Sequence, residues 1–156
     1  SFMKNLFIIL LMSLFISSCD SDSDSNPTGY QDTDDYVFLC GEFFSIELTE
    51  EIIISSCQGE IPSEIENLTN LTSLSLYDNQ LTGEIPSSIG NLTNLIFFRL
   101  NDNQLTGEIP ESICDFNLYN WTNYLFFDIS YNQLCPPYPY CMSGDDIYYQ
   151  NTSNCP

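Results

Sequence analysis

Apolar residues recur along the middle of the chain in a fixed spacing: Leu71, Leu74, Leu76 and Leu81, then Leu95, Phe98, Leu100 and Leu105. Within each group the pair two positions apart, Leu74 with Leu76 or Phe98 with Leu100, is the alternation of a short strand with one buried face. The residues between them face the other way. Each unit closes on Gly-Glu-Ile-Pro, at residues 59–62, 83–86 and 107–110, so the pattern returns with a period of 24. Self-similarity at that length predicts a solenoid, in which a single coil cannot bury its apolar side and is stabilised by its neighbours. Pro62, Pro86 and Pro110 keep the segment after the strand out of α-helix and in extended geometry.

The two clearest copies read LTSLSLYDNQLTGEIP at residues 71–86 and LIFFRLNDNQLTGEIP at residues 95–110. The shared pattern, LxxLxLxxNxLTGxIP, resembles the leucine-rich repeat in the plant-type variant of extracellular receptor ectodomains and polygalacturonase inhibitors, found also in short repeat lipoproteins of marine bacteria. The resemblance implies an α/β-class leucine-rich-repeat solenoid, mainly parallel β with short 3-10 or irregular convex segments, of about four coils with disulfide-bonded caps. It also implies a recognition scaffold and carries no particular substrate. In that family the Asn of the pattern, here Asn79, Asn103 and Asn132, points inward and satisfies backbone groups of adjacent coils, which an amide can do because it both donates and accepts.

The ends depart from the pattern. Aligned on Gly-Glu-Ile-Pro, the first coil has Ile52 at a core position, Glu50 where Leu is expected and Ser55 where Asn is expected, a degenerate rung in an N-terminal cap over 36–57. Asn132-Gln133-Leu134 follows Asn103-Gln104-Leu105 later than the period allows, which places a five-residue insertion around 116–123 and puts Tyr124, Phe127 and Ile129 on the core positions of the last strand. Cys135-Pro136-Pro137 then breaks the repeat, leaving repeats over 58–134 and a Cys-rich cap over 135–156.

Residues 1–18 read as a lipoprotein signal peptide, with Met3 as the start, Lys4 as the basic region and an apolar run over 5–16 that is too short to span a bilayer. Ile16-Ser17-Ser18-Cys19 resembles the lipobox in which the Cys becomes the lipidated first residue, so Cys19 is expected to anchor an exported chain to a bacterial cell envelope, with surface exposure left open. Cysteine parity agrees. Of seven Cys, assigning Cys19 to a lipid leaves six, Cys40, Cys57, Cys114, Cys135, Cys141 and Cys155, an even set in an oxidising compartment. Cys57 replaces the inward Leu before the Thr-Gly position, making Cys40 its expected partner, and two further bridges are expected within the other four in an open connectivity. The segment 19–35 is rich in Asp and Ser with almost no apolar groups, the composition of a solvated tether. Its Asp20, Asp22 and Asp24 start like a calcium loop, but Ser25 and Gln31 stand where Gly and a bidentate Glu are needed.

Charge and composition exclude several classes. The chain carries 22 Asp and Glu against 2 Lys and Arg, and no His. With Lys4 removed in the signal, Arg99 is the one remaining cation, and such a surface repels nucleic acid and anionic headgroups. Without His, no Ser-His or Cys-His pair can form, and no metal or cofactor site is indicated. The sequons at Asn67, Asn70, Asn91, Asn120 and Asn151 largely follow the repeat consensus and say little about function.

The outward strand positions define the face on which a partner would lie. They read as three columns: Thr49, Ser73, Phe97, Phe126; Glu51, Ser75, Arg99, Asp128; and Ile53, Tyr77, Asn101, Ser130. Phe97 and Phe126 are expected side by side near Tyr77, aromatic area with no core role, and Arg99 beside Asp128 as either a surface ion pair or an orienting cation. Tyr77, Phe97, Arg99, Asn101, Phe126 and Asp128 are therefore the candidate binding residues. The expected function is a non-catalytic envelope or cell-surface lipoprotein that binds a protein, peptide or glycan on its concave face. Two alternatives remain: a carboxylate-based glycoside hydrolase using Glu51 and Asp128, and an ice-binding protein using the two-rung Thr82 and Thr106 ladder.

Overall fold

A computed structural model of the chain describes residues 35–116, 125–142, 147 and 149–156. The signal segment, Cys19, the tether, Tyr124 and most of the insertion lie outside the described residues.

The repeat strands form where the Leu-x-Leu alternation sits. Strands β3 (Glu51–Ile53), β5 (Ser73–Ser75), β7 (Phe97–Arg99) and β8 (Phe127–Asp128) stack in parallel in the order β3-β5-β7-β8. Their inward residues Ile52, Leu74, Phe98 and Phe127 are buried, and with Leu71, Leu76, Leu81, Leu95, Leu100, Leu105, Ile129 and Leu134 they make one continuous core. Phe98 sits at its centre, with Phe127 stacked at 5.7 Å between ring centroids and Phe116 edge-on at 5.1 Å.

After each strand the chain turns through a left-handed residue, Asp78 (φ 53), Asp102 (φ 57) or Tyr131 (φ 55). Asp tolerates that conformation through local hydrogen bonding, whereas for Tyr it is strained. The turn delivers Gln80–Leu81 (β6) beside Gln58–Gly59 (β4) in a second, two-stranded parallel sheet, continued by bridges from Glu84 to Thr106 and from Glu108 to Cys135. Pro62, Pro86 and Pro110 adopt extended φ/ψ, and each is followed by a single 3-10 segment, Ser63–Asn67, Ser87–Asn91 or Glu111–Asp115. These convex segments bury Ile65, Ile89 and Ile113. They also pack closely: a Cβ at Gly90 would stand 2.5 Å from the Ser112 backbone oxygen, so the coils approach there only because that residue is Gly.

Asn79, Asn103 and Asn132 form the expected internal ladder. Each Oδ1 accepts from the backbone N–H of the preceding coil, Cys57, Leu81 and Leu105 respectively, at 2.7–3.0 Å. Each Nδ2 donates to a carbonyl of that coil, Ile54, Leu76 and Leu100. The ladder does not stop at Asn132. Gln150, from the C-terminal cap, accepts from Leu134 N–H at 3.1 Å and donates to Ile129 C=O at 2.9 Å, standing where a fifth coil would place its Asn. A solenoid end must cover such backbone groups, and one long amide does so here.

The first coil corrects the expected alignment. Glu51 pairs with Ser73, Ile52 with Leu74 and Ile53 with Ser75, whereas Ser73, Leu74 and Ser75 pair with Phe97, Phe98 and Arg99, so the first step along the chain is shorter than the second. Two residues are missing between the strand and Gly59. Ile52 and Ile54 consequently occupy the places of Leu74 and Leu76, and neither Glu50 nor Ser55 stands in for a core Leu or the ladder Asn. A Gly-Glu-Ile-Pro anchor fixes the register of the return segment, and pleat alternation then lets a strand slip by two positions without exposing its apolar face.

The caps follow the cysteine expectation. At the front, β1 (Tyr36–Leu39) and β2 (Glu42–Ser45) form an antiparallel hairpin whose two turn residues, Cys40 and Gly41, both have positive φ, the geometry of the tight turn that matches strand twist. Val37, Leu39 and Phe44 bury against the solenoid end, and Cys40 is bonded to Cys57. At the back Cys114 is bonded to Cys141 and Cys135 to Cys155, settling the connectivity that spacing left open. Loops of this length restrict the unfolded chain by about 3 kcal/mol each in the chain-entropy model.

Candidate functional site

The outward residues of β3, β5, β7 and β8 line one face of the parallel sheet. With the first coil in its observed register the columns read Glu51, Ser73, Phe97, Phe126; then Ile53, Ser75, Arg99, Asp128; then Ser55, Tyr77, Asn101, Ser130. Glu51 and Ile53 therefore each sit one column away from the expected place, and Thr49 leaves the face.

Phe97 and Phe126 stack with centroids 5.0 Å apart and planes 17° off parallel. Phe97 is 38 % exposed, and immediately beside the pair Ile96 and Leu125 are 47 % and 53 % exposed. Ile96 and Leu125 belong to the site although no motif marked them. Ile96 follows the buried Leu95 without itself turning inward, and its signal is an apolar residue at the place where the neighbouring coil has Thr72. These four residues put apolar area on the third and fourth coils, where the first two coils carry Glu51, Ser73 and Ser75 together with the exposed Ile53 and Tyr77. Ser73 and Ser75 are buried despite facing outward, being short side chains on a strand flanked by β3 and β7.

Arg99 and Asp128 are strand neighbours in register. They do not form an ion pair among the described residues. Asp128 Oδ1 instead accepts from Ser130 N–H and Ser130 Oγ–H, at 3.0 and 2.6 Å, and the Arg99 guanidinium lies 4.4 Å over the Tyr77 ring. That cation–π contact contributes about 0.5–1 kcal/mol at such a site and, more usefully, holds the long side chain in one place. Asn101 is 7 % exposed and donates from Nδ2 to Asp102 Oδ2 at 2.7 Å. The structure thus brings Tyr77, Arg99, Asn101, Phe97 and Phe126 onto one surface, with Asp128 committed to its own strand.

The hydrolytic alternative loses its geometry. Glu51 and Asp128 lie in different columns and three strand spacings apart, about 14 Å, beyond the separation at which a carboxylate pair can act on one glycosidic bond. The Thr82 and Thr106 hydroxyls are turned to the preceding coil, donating to Gly59 and Gly83 carbonyls at 3.4 and 3.3 Å. Among the described residues no group of His, Cys, Asp and Glu is arranged to hold a metal ion, and no helix is long and apolar enough to cross a membrane.

The family model described as Leucine Rich Repeat matches residues 70–92 and 94–116. A comparison with curated proteins gives no match. Among solved structures, the ectodomain of the Arabidopsis receptor kinase HAESA, in complex with an extended IDA peptide hormone, is 35 % identical over 56 % of this chain and 14 % of its own, with a TM-score of 0.50. The BIR2 ectodomain from Arabidopsis thaliana is 30 % identical over 59 % of this chain and 48 % of its own, also at 0.50. The plant peptide hormone receptor RGFR1, in complex with RGF2, is 40 % identical over 58 % of this chain and 15 % of its own, at 0.48. The chain spans less than half the length of each of these proteins.

Proposed function

We propose that this chain, whose fold is a leucine-rich-repeat solenoid, is a non-catalytic recognition module whose outward strand face takes a peptide or protein segment. The observation that carries this is the exposed Phe97, Ile96 and Leu125 with the half-buried Phe126 stacked on Phe97, beside a core that closes without them. Aromatic anchors next to fixed polar groups are what protein and peptide interfaces use. HAESA was solved with a peptide hormone bound, which favours a peptide over a glycan for this chain. A net charge of −20 sets the ligand's character: an acidic segment is repelled on approach, so the partner carries apolar or aromatic residues with a neutral or basic balance.

A random-peptide array probed with the full chain is expected to select such segments. A Phe97→Ser, Phe126→Ser double variant should bind them at least tenfold more weakly with its melting temperature nearly unchanged. Selected peptides that bind the double variant equally well would remove the concave face from consideration.

We further propose that the chain is exported and tethered to the envelope by lipid on Cys19, on the strength of Ile16-Ser17-Ser18-Cys19 and of the six remaining Cys all being paired. Metabolic labelling with a fatty-acid analogue is expected to mark the chain and to fail in Cys19→Ser; labelling that survives the substitution would refute it.

A further inference from the structure

The turn after each strand repeats one backbone conformation, and its left-handed residue makes a column of its own beside the strand face. Ser56, Asp78, Asp102, Tyr131 and Tyr149 all have φ between 53° and 72°. Tyr149 belongs with them because it precedes Gln150 as Tyr131 precedes Asn132, and Gln150 holds the ladder position of a fifth coil. Consecutive turns are bonded to each other. Asp102 N–H donates to Ser130 C=O at 3.1 Å and Asn103 N–H to Tyr131 C=O at 3.2 Å, as Asp78 and Asn79 donate to Asn101 and Asp102 one coil earlier. Side chains at equivalent places in such turns start about 5 Å apart and leave the backbone in the same direction.

The column changes character along its length. Asp78 and Asp102 are short and exposed, whereas Tyr131 and Tyr149 are 50 % and 61 % exposed and stack with centroids 4.7 Å apart and planes 5° off parallel. A ring spacing equal to the step between coils sets both ring planes across the solenoid axis. Tyr149 then covers the face of Tyr131 on the cap side, and the opposite face looks back over the third coil, where Asp102 stands. Asp ends at its carboxylate while the phenol ring reaches further, so an aromatic wall rises beside an acidic floor and both meet solvent. Asp102 Oδ2 accepts from Asn101 Nδ2 at 2.7 Å, which holds the carboxylate in place, and Oδ1 has no partner among the described residues.

An aromatic face next to a carboxylate attracts one class of group, an organic cation, through the ring quadrupole and through charge. The chain makes the same pairing internally, where the Arg99 guanidinium lies 4.4 Å over the Tyr77 ring. Of the two cationic side chains, guanidinium fits this notch. It is planar and weakly hydrated, so its face lies on a ring while its edge N–H groups reach a carboxylate, whereas an ammonium is a strongly hydrated point charge.

We propose that Tyr131 and Asp102, with Tyr149 backing the ring, form a subsite for an arginine side chain of the bound segment. The guanidinium stacks on the open face of Tyr131 and donates to Asp102 Oδ1. The net charge of −20 draws such a side chain in, and Asp78 extends the acidic floor by one coil. The inference rests on the peptide-binding reading above and adds the residue type that the C-terminal end of the face selects.

The test is an NMR titration of the full chain, following the ring signals of Tyr131 and Tyr149. Three probes are compared: N-acetyl-arginine N-methylamide, its lysine counterpart, and its citrulline counterpart, whose urea has the same planar shape without the charge. The arginine probe is expected to shift the Tyr131 ring signals and to bind about tenfold more tightly than the citrulline probe, with lysine weaker than arginine. Asp102→Asn and Tyr131→Asn should each bring the arginine probe down to the citrulline level, while Tyr131→Phe, which keeps the ring face, binds it as the parent does. Asn suits a left-handed turn, and the comparison of probes needs no variant to fold. Equal binding of arginine and citrulline, tighter binding of lysine, an Asp102→Asn chain that binds arginine like the parent, or no Tyr131 shift with any probe overturns the subsite. Array peptides that depend on Phe97 and Phe126 but are indifferent to replacing arginine by citrulline also overturn it, and leave the peptide-binding reading standing. An array that selects no peptide, with the arginine probe still shifting Tyr131, ends that reading and supports the cation subsite alone.

Discussion

Phe98→Ala is expected to destabilise the domain by about 3–5 kcal/mol, while Phe97→Ser, one position earlier, should cost no more than about 1 kcal/mol. Phe98 is fully buried against Phe116 and Phe127, and truncating it leaves a cavity among coils that cannot close inward without losing strand register. Phe97 lies on the other side of the same strand, more than a third exposed, and contributes one stacked pair with Phe126. Thermal or denaturant unfolding of the two variants measures the difference. Comparable losses would mean that the exposed rings hold the sheet together, and the concave patch would lose its standing as a binding surface.

Asn103→Ala should cost about 2–4 kcal/mol, close to the core truncation despite removing only a small polar group. Its Oδ1 accepts from Leu81 N–H, and its Nδ2 donates to the carbonyls of Leu76 and Leu100, so Ala strands backbone groups in two coils where no water reaches. Asn101→Ala provides the control. It removes an acceptor that has no protein partner and one hydrogen bond to the exposed Asp102, which water can replace, so its melting temperature should stay within a few degrees of the parent. Denaturant unfolding of both variants decides the matter: an Asn103→Ala protein as stable as Asn101→Ala would show that the internal ladder is dispensable.

The fold was largely readable from the chain alone, for a physical reason: a repeat states its own contacts. Leu74 above Phe98, Asn79 above Asn103 and Phe97 beside Phe126 follow from a period of 24 or an insertion of five, because each coil places equivalent residues in equivalent positions on its neighbour. Where the period held, the inferred columns held. It failed at the first coil, whose anchor stayed in phase while the strand had lost two positions, a change that preserves alternation and so leaves no mark in the hydrophobic pattern.

The sequence by itself thus determined a leucine-rich-repeat solenoid, its inward and outward faces, the front disulfide and the aromatic pair on the concave surface. Tertiary structure decided what has no period. It joined Cys114 to Cys141 and Cys135 to Cys155, and brought Gln150 to complete the ladder beneath Ile129 and Leu134. It also turned Arg99 onto Tyr77 in place of the adjacent Asp128, whose Oδ1 already accepts from Ser130. Such choices are competitions among side chains for partners within a few ångströms, and their outcome depends on which groups the fold has already satisfied. The same competition left Arg99 Nε and Asn101 Oδ1 unpaired, as no spacing along the chain could have foretold.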